Sequence, residues 1–133
     1  MQNNQVRIIA GVYRGRKITF PNIEGLRPTS DRVRETVFNW LQHDIKDANC
    51  LDLFAGSGAL GFEALSRGAA HVDFVDLSRD AINAINDNIT RFKAPNATAH
   101  QSQASDFLKN PKSPYDIVFL DPPFDSTLLS IVI

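Results

Sequence analysis

Apolar residues occur along the chain in two kinds of pattern, short continuous runs and stripes with helical spacing, and the two patterns alternate after residue 48. Continuous runs are typical of strands buried on both faces, whereas spacings of three and four residues are typical of one helix face. The predicted elements, in order, are strand Cys50–Phe54, helix Ala59–Arg67, strand His71–Val75, a helix capped by Ser78, strand Thr98–Ser102, a short helix around Asp106–Lys109 and strand Tyr115–Leu120. Such βα repetition predicts an α/β fold, a Rossmann-like parallel sheet with right-handed crossovers and helices on both faces.

The residues before this region predict a β-hairpin followed by a helix. Val6 to Phe20 contains two strand-like runs, and Gly11 and Gly15 flank the intervening turn. Two strands alone are marginally stable, so the hairpin is expected to lean on the main domain or on a partner. We predict residues 1–22 as a basic hairpin extension and residues 23–133 as the main domain.

Thr29 or Ser30 is predicted to cap the helix that follows. Its apolar face is formed by Val33, Val37, Trp40, Leu41 and Ile45. Arg32 and Arg34 are expected to lie off that face, in the first turns. Because cations oppose the dipole at a helix N-terminus, this placement predicts a contact with phosphate or with acidic side chains.

Composition indicates one domain with a core of its own. The chain has 133 residues, of which 43% are hydrophobic, and no apolar stretch is long enough to cross a membrane. The polar N-terminus predicts no signal peptide, and the single cysteine, Cys50, is interpreted as a core thiol in a reducing compartment. We expect a soluble, cytoplasmic protein without a metal site. Composition leaves the oligomeric state open.

Charge is distributed unevenly along the chain. Residues 1–34 carry a net charge of +5, whereas the remainder carries −6. A basic segment on an acidic body is typical of proteins that bind a polyanion such as a nucleic acid. The candidate RNA-binding cations are Arg7, Arg14, Arg16, Lys17, Arg32 and Arg34.

A glycine-rich turn follows the first strand of the main domain. The spacing Gly56-x-Gly58-x-x-Gly61 at a strand-to-helix junction is typical of a small-molecule site, since glycine lets backbone approach a ligand closely. The spacing fits a dinucleotide site, and it equally fits the methyl-donor site of methyltransferases. Asp76, 20 residues after Gly56, is placed to accept the ribose hydroxyls in either case.

Polar or small residues follow every predicted strand, and we expect these strand ends to line one crevice. Asp52 lies within the first strand, and Asp76, Gln103-Ala104 and Asp121-Pro122-Pro123-Phe124 follow the others. The last motif suits the methylation of an amine conjugated to a ring. Such a nitrogen is a poor nucleophile, and it is helped by two acceptors, the Asp121 carboxylate and the Pro122 carbonyl, and by Phe124 stacked on the base.

These motifs carry a family resemblance. Asp52–Gly58 together with Asp121–Phe124 resembles the class I S-adenosylmethionine-dependent methyltransferases that methylate amines. With Arg27–Glu35 and the hairpin included, the chain is similar to the bacterial 16S ribosomal RNA guanine-N2 methyltransferase family (RsmD type). The resemblance extends from about Val6 to the C-terminus, and it makes the dinucleotide interpretation the weaker one.

The resemblance implies a role for each motif. S-adenosylmethionine is the implied cofactor, and a guanine of 16S rRNA in the small ribosomal subunit is the implied substrate. Asp121, Pro122, Pro123 and Phe124 are the implied catalytic residues, whereas the hairpin and the Arg32/Arg34 region are expected to meet rRNA. The implied cofactor-binding residues are Asp52, Phe54, Ala55, Gly56, Ser57, Gly58, Asp76, Leu77, Gln103 and Ala104. The family usually has Asp or Asn where this chain has Gln103.

The chain is shorter than a class I methyltransferase sheet requires. Seven strands are expected in such a sheet, and the last three are not found, so the sheet is predicted to be truncated after its fourth strand, with that strand an open edge and a helix starting at Ser126. Two alternatives to the rRNA enzyme therefore stay open. One is a non-catalytic fragment that binds cofactor or RNA, and the other is an amino-methyltransferase acting on DNA adenine or protein glutamine.

Overall fold

The computed structural model describes residues 3–21, 29–109, 114–121 and 129–132. Within these ranges the chain forms seven strands and four helices. The strands are β1 (Asn3–Arg7), β2 (Lys17–Pro21), β3 (Asn49–Asp52), β4 (His71–Asp76), β5 (Ala97–Gln101), β6 (Ile117–Leu120) and β7 (Leu129–Val132). The helices are α1 (Asp31–Trp40), α2 (Ala59–Ser66), α3 (Arg79–Phe92) and α4 (Ala104–Lys109).

The main sheet has the strand order β5-β4-β3-β6-β7, and its first four strands are parallel. Apolar residues alternate between its two faces, as side chains of successive strand residues must. Val72 and Phe74 of β4 join the core beneath α1, α2 and α3, whereas Val75 joins the smaller core that contains Phe107 of α4. The predicted Rossmann-like fold with helices on both faces is confirmed.

β7 corrects the expectation for the end of the chain. It pairs antiparallel with β6, from Leu120↔Leu129 to Ile117↔Val132, so β6 is an inner strand and the predicted open edge is wrong. The backbone N–H and C=O groups on the side of β6 that faces away from β3 would otherwise lack partners, and β7 supplies them. The helix predicted from Ser126 is replaced by this strand from Leu129 onward, whereas Ser126 itself lies outside the described residues.

Helix boundaries follow the predicted capping residues. Ser30 precedes α1 and its hydroxyl accepts the Val33 N–H at 3.2 Å, and Ser78 does the same for Ala81 at the start of α3 at 3.1 Å. Gly68 follows α2 with φ +107°, a conformation that favours glycine. Local sequence signals thus predicted the starts of α1 and α3 and the end of α2, whereas α1 ends at Trp40, before the last two residues of its predicted face, Leu41 and Ile45.

The hairpin leans on the main domain, as its small size requires. Val6, Ile8, Ile18 and Phe20 belong to the same hydrophobic core as the helices packed on the sheet. Asn88 of α3 also donates to the Thr19 carbonyl oxygen at 2.9 Å. The predicted antiparallel pairing is present, with Arg7 opposite Lys17.

The inward face of α1 differs from the predicted apolar face at Arg34 and at Trp40. Its side chain is fully buried, whereas Trp40, predicted to be buried, is 74% exposed. The guanidinium forms ion pairs with Asp31 and with Glu63 of α2, the latter at 3.0 Å. Arg34 therefore faces inward because an acidic partner on another helix compensates its burial. Of the two contacts predicted for it, the one with acidic side chains is present, and its assignment to RNA is wrong.

A polar network lies on the face of the sheet opposite to α1, α2 and α3. Asp73 of β4 accepts a hydrogen bond from the Tyr115 hydroxyl at 2.6 Å, and Nε2 of both His71 and His100 lies 3.1 Å from its other oxygen. Burial acts to raise the pKa of Asp73, but these three hydrogen bonds outweigh it and lower the pKa below its usual value. The network joins β4 to β5 and to the residues before β6.

The described residues contain no helix long and apolar enough to cross a membrane. Within the same ranges, no three His, Cys, Asp or Glu side chains are grouped so that they could hold a metal ion.

Candidate functional site

The glycine turn connects β3 to α2 at the carboxyl end of the parallel strands. Gly56 and Gly58 have φ values of +55° and +83°, which an L side chain rarely adopts. The Ala55 N–H donates to the Val75 carbonyl at 3.0 Å, and the Gly58 N–H donates to the Ala55 carbonyl at 2.7 Å. The turn is therefore tied to β4 and closed on itself.

Gly61, the third glycine of the motif, has a packing role. A Cβ at this position would lie 2.2 Å from Cε1 of Phe74, so α2 approaches β4 more closely than any side chain allows. The Phe62 ring likewise leaves no room for a side chain at Gly58, because a Cβ there would lie 2.9 Å from it. Close approach to a ligand is thus not needed to explain these two glycines.

Asp52 lies at the end of β3, beneath the turn, and is only 1% exposed. Its Oδ2 accepts the Gly61 N–H at 3.0 Å, while the Ser57 hydroxyl accepts the Ala59 N–H at 3.2 Å. Two of the N–H groups at the start of α2 are thus bound by the chain's own side chains. Asp52 is placed to hold the turn in position and not to face the open crevice.

Asp76 ends β4 beside the turn and is half-buried. One of its oxygens accepts the Gly56 N–H at 2.8 Å, and the other accepts the Ser78 N–H at 2.9 Å. Each carboxylate oxygen keeps a second lone pair, so a ribose hydroxyl can still be accepted. Leu77, the next residue, is 64% exposed, which leaves an apolar surface beside the carboxylate.

Asp121 follows β6, two strands away from β4 in the sheet. It is half-buried, and one of its oxygens accepts the Thr29 hydroxyl at 2.9 Å. Pro122, Pro123 and Phe124, which complete the predicted catalytic motif, lie outside the described residues. Arg27 and Pro28, which precede Thr29, also lie outside them.

The remaining predicted cofactor residues lie on the turn or at the end of β5. Phe54 is half-buried, whereas Ala55 and Ser57 are buried. Gln103 is exposed, and its carbonyl accepts the Phe107 N–H at 3.0 Å, so it immediately precedes α4. Ala104 is half-buried as the first residue of that helix.

Three carboxylates therefore converge at the carboxyl ends of β3, β4 and β6. Burial raises the pKa of Asp52 to about 8, the hydrogen bond from Gly61 acts in the opposite direction, and the charges of Asp121 and Asp76 add to the rise. Asp52 therefore holds its proton at neutral pH, and the carboxylates of Asp76 and Asp121 make the site favour a cationic ligand and disfavour a pyrophosphate, which they would repel.

Comparison with known proteins agrees with this geometry. The model of the family described as "Conserved hypothetical protein 95" matches residues 6–133. The chain belongs to this family. It is 52% identical over 127 residues to "Ribosomal RNA small subunit methyltransferase D" of Escherichia coli K12, covering 96% of this chain and 64% of that protein.

Two further similarities support the same family. The protein of the same name from Haemophilus influenzae is 52% identical over 128 residues, covering 93% of this chain and 66% of the relative. The solved structure titled "Putative methyltransferase yhhF from Escherichia coli" superposes with a TM-score of 0.84 at 48% identity, covering 90% of this chain and 65% of that chain. The chain thus spans slightly less than two thirds of the length of these relatives, and it has their methyltransferase fold.

The basic residues predicted to meet RNA do not all have the same surroundings. Arg7, Arg14, Lys17 and Arg32 are exposed. Arg16 is also exposed, but its guanidinium lies over the Phe92 ring, 4.4 Å from the centroid, and donates to the Arg91 carbonyl at 3.2 Å. The described surface therefore offers five of the six predicted cations to a polyanion.

Tyr13, expected to be available for stacking on a base, instead stacks on a residue of the protein. Its ring is half-buried and lies 5.1 Å from the Phe92 ring at an interplanar angle of 25°. The hairpin thus uses its aromatic side chain to dock on α3, and the expected base contact is wrong for the described conformation.

Sequence reasoning missed two residues of this region. Thr29 was considered only as a helix cap, and nothing in its neighbourhood indicates a contact with Asp121, 92 positions later. Glu63 was not singled out, although a lone acid in the apolar run Ala59–Ser66 is a signal, since a buried carboxylate requires partners.

The raised pKa of Asp52 leads to a prediction for stability. Between pH 3.8, the ordinary pKa of an aspartate, and pH about 8, the Asp52 carboxyl group is protonated in the folded chain and ionised in the unfolded chain. The unfolded state then binds fewer protons, so the contribution of Asp52 to stability falls as pH rises through that interval. We expect the free energy of unfolding of the wild type, measured against that of Asp52→Asn, to fall by up to about 1.4 kcal/mol per pH unit.

Urea unfolding at several pH values across the interval measures this difference. Asp87→Asn, the same change at an exposed position of α3, is the control and should show no such trend. A difference between wild type and Asp52→Asn that does not change with pH would contradict the assignment.

Proposed function

We propose that this chain carries the site of an S-adenosylmethionine-dependent methyltransferase that modifies the N2 amine of a guanine in 16S rRNA of the small ribosomal subunit. The observation that carries the proposal is the convergence of Asp52, Asp76 and Asp121 around the glycine turn. Membership of a family whose relatives are named small-subunit rRNA methyltransferases supports the RNA substrate.

The acidic character of the crevice supports the methyl donor as cofactor. S-adenosylmethionine carries a sulfonium and an ammonium, and both are stabilised by nearby carboxylates. When bound, it supplies a methyl group attached to a positively charged sulfur. Asp76 is suited to the ribose hydroxyls, and the exposed Leu77 is suited to packing against the adenine ring.

Gln103 and Ala104 are the proposed adenine contacts beyond Leu77. The exposed Gln103 amide can accept from the adenine amine and donate to a ring nitrogen. The methionine part of the cofactor is proposed to be enclosed by the turn Phe54, Ala55, Gly56, Ser57 and Gly58. Asp52 is proposed to act on the methionine part indirectly, by holding this turn in position.

Asp121 is the proposed partner of the guanine amine. Its carboxylate can accept an N–H of that amine, which favours a tetrahedral nitrogen whose lone pair points at the methyl carbon. Thr29 holds the carboxylate in place through its hydroxyl. The proton released from nitrogen has an acceptor in Asp121. Pro122, Pro123 and Phe124 are proposed to complete the base pocket, as the resemblance implies.

Transfer of labelled methyl groups tests the proposal. Under-methylated 30S particles, duplex DNA and a glutamine-containing protein are offered in parallel, and label is expected in N2-methylguanosine of 16S rRNA, identified by nucleoside mass spectrometry. Label in N6-methyladenine or in protein would favour the alternative amine substrates. Cofactor binding by calorimetry without transfer to any substrate would favour a non-catalytic fragment.

A further inference from the structure

The turn of the basic hairpin packs against the C-terminal half of α2, and Glu63 is the centre of this contact. Glu63 is fully buried. Its Oε1 accepts the Ile9 N–H and an Arg34 guanidinium N–H, both at 3.0 Å, while its Oε2 accepts the Ala10 N–H at 3.1 Å and the Arg67 Nε–H at 2.9 Å. Two backbone amides of the hairpin thus share one carboxylate with α1 and α2.

Ser66, one helical turn later, continues the contact. Its hydroxyl accepts the Tyr13 N–H at 3.0 Å and donates to the Ala10 carbonyl, and its own carbonyl accepts the Val12 N–H at 2.8 Å. A Cβ on Gly11 would lie 1.9 Å from that carbonyl oxygen. The backbone of the hairpin turn is therefore held on α2 by the side chains of Glu63 and Ser66 and by the Ser66 carbonyl.

The same helix begins at the glycine turn. Gly58 is its N-cap, and the N–H of Gly61 is bound by Asp52. Glu63 is five residues beyond Gly58, a rise of about 7.5 Å along the helix axis. One short helix thus has the proposed cofactor turn at its start and the hairpin at its end.

We propose that Glu63 is a positioning residue that sets the RNA-facing hairpin relative to the cofactor turn, an inference that rests on the proposed function. A buried ion pair is by itself weak evidence of a stabilising role. What favours positioning is the identity of the donors, since the Ile9 and Ala10 amides fix the path of the backbone that carries Arg7 and Arg14.

The contacts on α3 make this role separable from folding of the hairpin. Tyr13 stacks on Phe92, and Asn88 binds the backbone of Thr19. These contacts do not involve Glu63, so loss of its charge is expected to loosen the hairpin on the α2 side while the α3 side stays docked. The exposed cations would then be offered to RNA in several orientations instead of one.

Glu63→Gln and Ser66→Ala test the inference, with Glu35→Gln at an exposed position of α1 as the matched control. We expect Glu63→Gln to weaken binding to 30S particles about tenfold, equivalent to about 1.4 kcal/mol, and to change the Kd for S-adenosylmethionine by less than about twofold. Ser66→Ala, which leaves the ion pairs in place, should have a smaller effect of the same kind. Faster hydrogen exchange at the Ile9 and Ala10 amides should accompany both.

A double-mutant cycle with Arg14→Gln separates positioning from general destabilisation. If Glu63 acts by placing the hairpin cations, the loss of RNA affinity caused by Arg14→Gln should shrink in the Glu63→Gln background. Additive losses, or a lowered Tm with unchanged RNA affinity, would overturn the inference. Failure of the wild type itself to bind 30S particles would instead refute the proposed function.

Discussion

Asp121→Ala is expected to lower the rate of methyl transfer to 30S particles by about 10²- to 10³-fold or more, while leaving the Kd for S-adenosylmethionine within a few-fold of the wild type. Removal of one preorganised polar partner of a reacting group typically has an effect of this size. Asp121 lies directly after β6, where Thr29 fixes one of its oxygens, so its carboxylate is oriented before the base arrives.

A second variant addresses that orientation. Thr29→Val keeps the carboxylate and removes only the hydroxyl that donates to it at 2.9 Å. We expect a loss smaller than that of Asp121→Ala, about tenfold, since alignment and not the acceptor itself is weakened. The loss should appear in kcat and not in the KM for the cofactor.

The matched control for Asp121 lies at the other end of the same strand. Asp116 precedes β6, is exposed, and accepts the Asn49 N–H at 2.8 Å, at the sheet edge opposite to the crevice. Asp116→Ala should retain transfer at temperatures well below its Tm. Transfer that survives Asp121→Ala, or that is lost equally in Asp116→Ala, would contradict the role given to Asp121.

Asp76→Ala is expected to weaken S-adenosylmethionine binding by about 10²-fold. Hydrogen bonds to charged groups contribute about 1.5–3 kcal/mol each, and the proposed ribose contact is lost entirely. The Gly56 N–H and the Ser78 N–H also lose their acceptor, so the turn and the start of α3 become less ordered. Both effects weaken binding.

Isothermal titration calorimetry measures this change, and Asp80→Ala is the control. Asp80 lies in the first turn of α3, four residues from Asp76, and is exposed, so its removal costs only a few tenths of a kcal/mol from the helix dipole. Asp76→Asn, which keeps one acceptor oxygen, should fall between wild type and Asp76→Ala. A Kd for Asp76→Ala equal to that of Asp80→Ala would remove Asp76 from the cofactor site.

Much of this fold could be predicted because its signals are local. The strand runs, the helical stripes, and the caps Ser30 and Ser78 each depend on residues within a few positions of one another. The parallel direction of β3, β4, β5 and β6 then brings their carboxyl ends to one edge of the sheet. The proximity of Asp52, Asp76 and Asp121 follows from the order of the elements along the chain. In the structure, Asp121 and Asp76 are close enough to raise the pKa of Asp52.

Contacts between distant segments could not be predicted in this way. The period of α1 does not show that Arg34 faces inward, because that orientation depends on Glu63, 29 residues later. The local pattern predicts that Tyr13 is available to stack on a base, whereas in the tertiary structure its ring stacks on Phe92. In the same way, Leu129–Val132 becomes a strand because β6 has backbone groups that require partners.

The sequence by itself therefore determined the order of elements, the Rossmann-like sheet and the cluster of acids at its edge, because periodicity and chain connectivity are properties of neighbouring residues. Only the tertiary structure decided which charges are buried and which are offered to solvent. A charge can be buried only where a partner compensates its desolvation, and the buried partner of Arg34, Glu63, comes from another helix. The separation of the basic residues into exposed cations and one buried ion pair follows from that requirement.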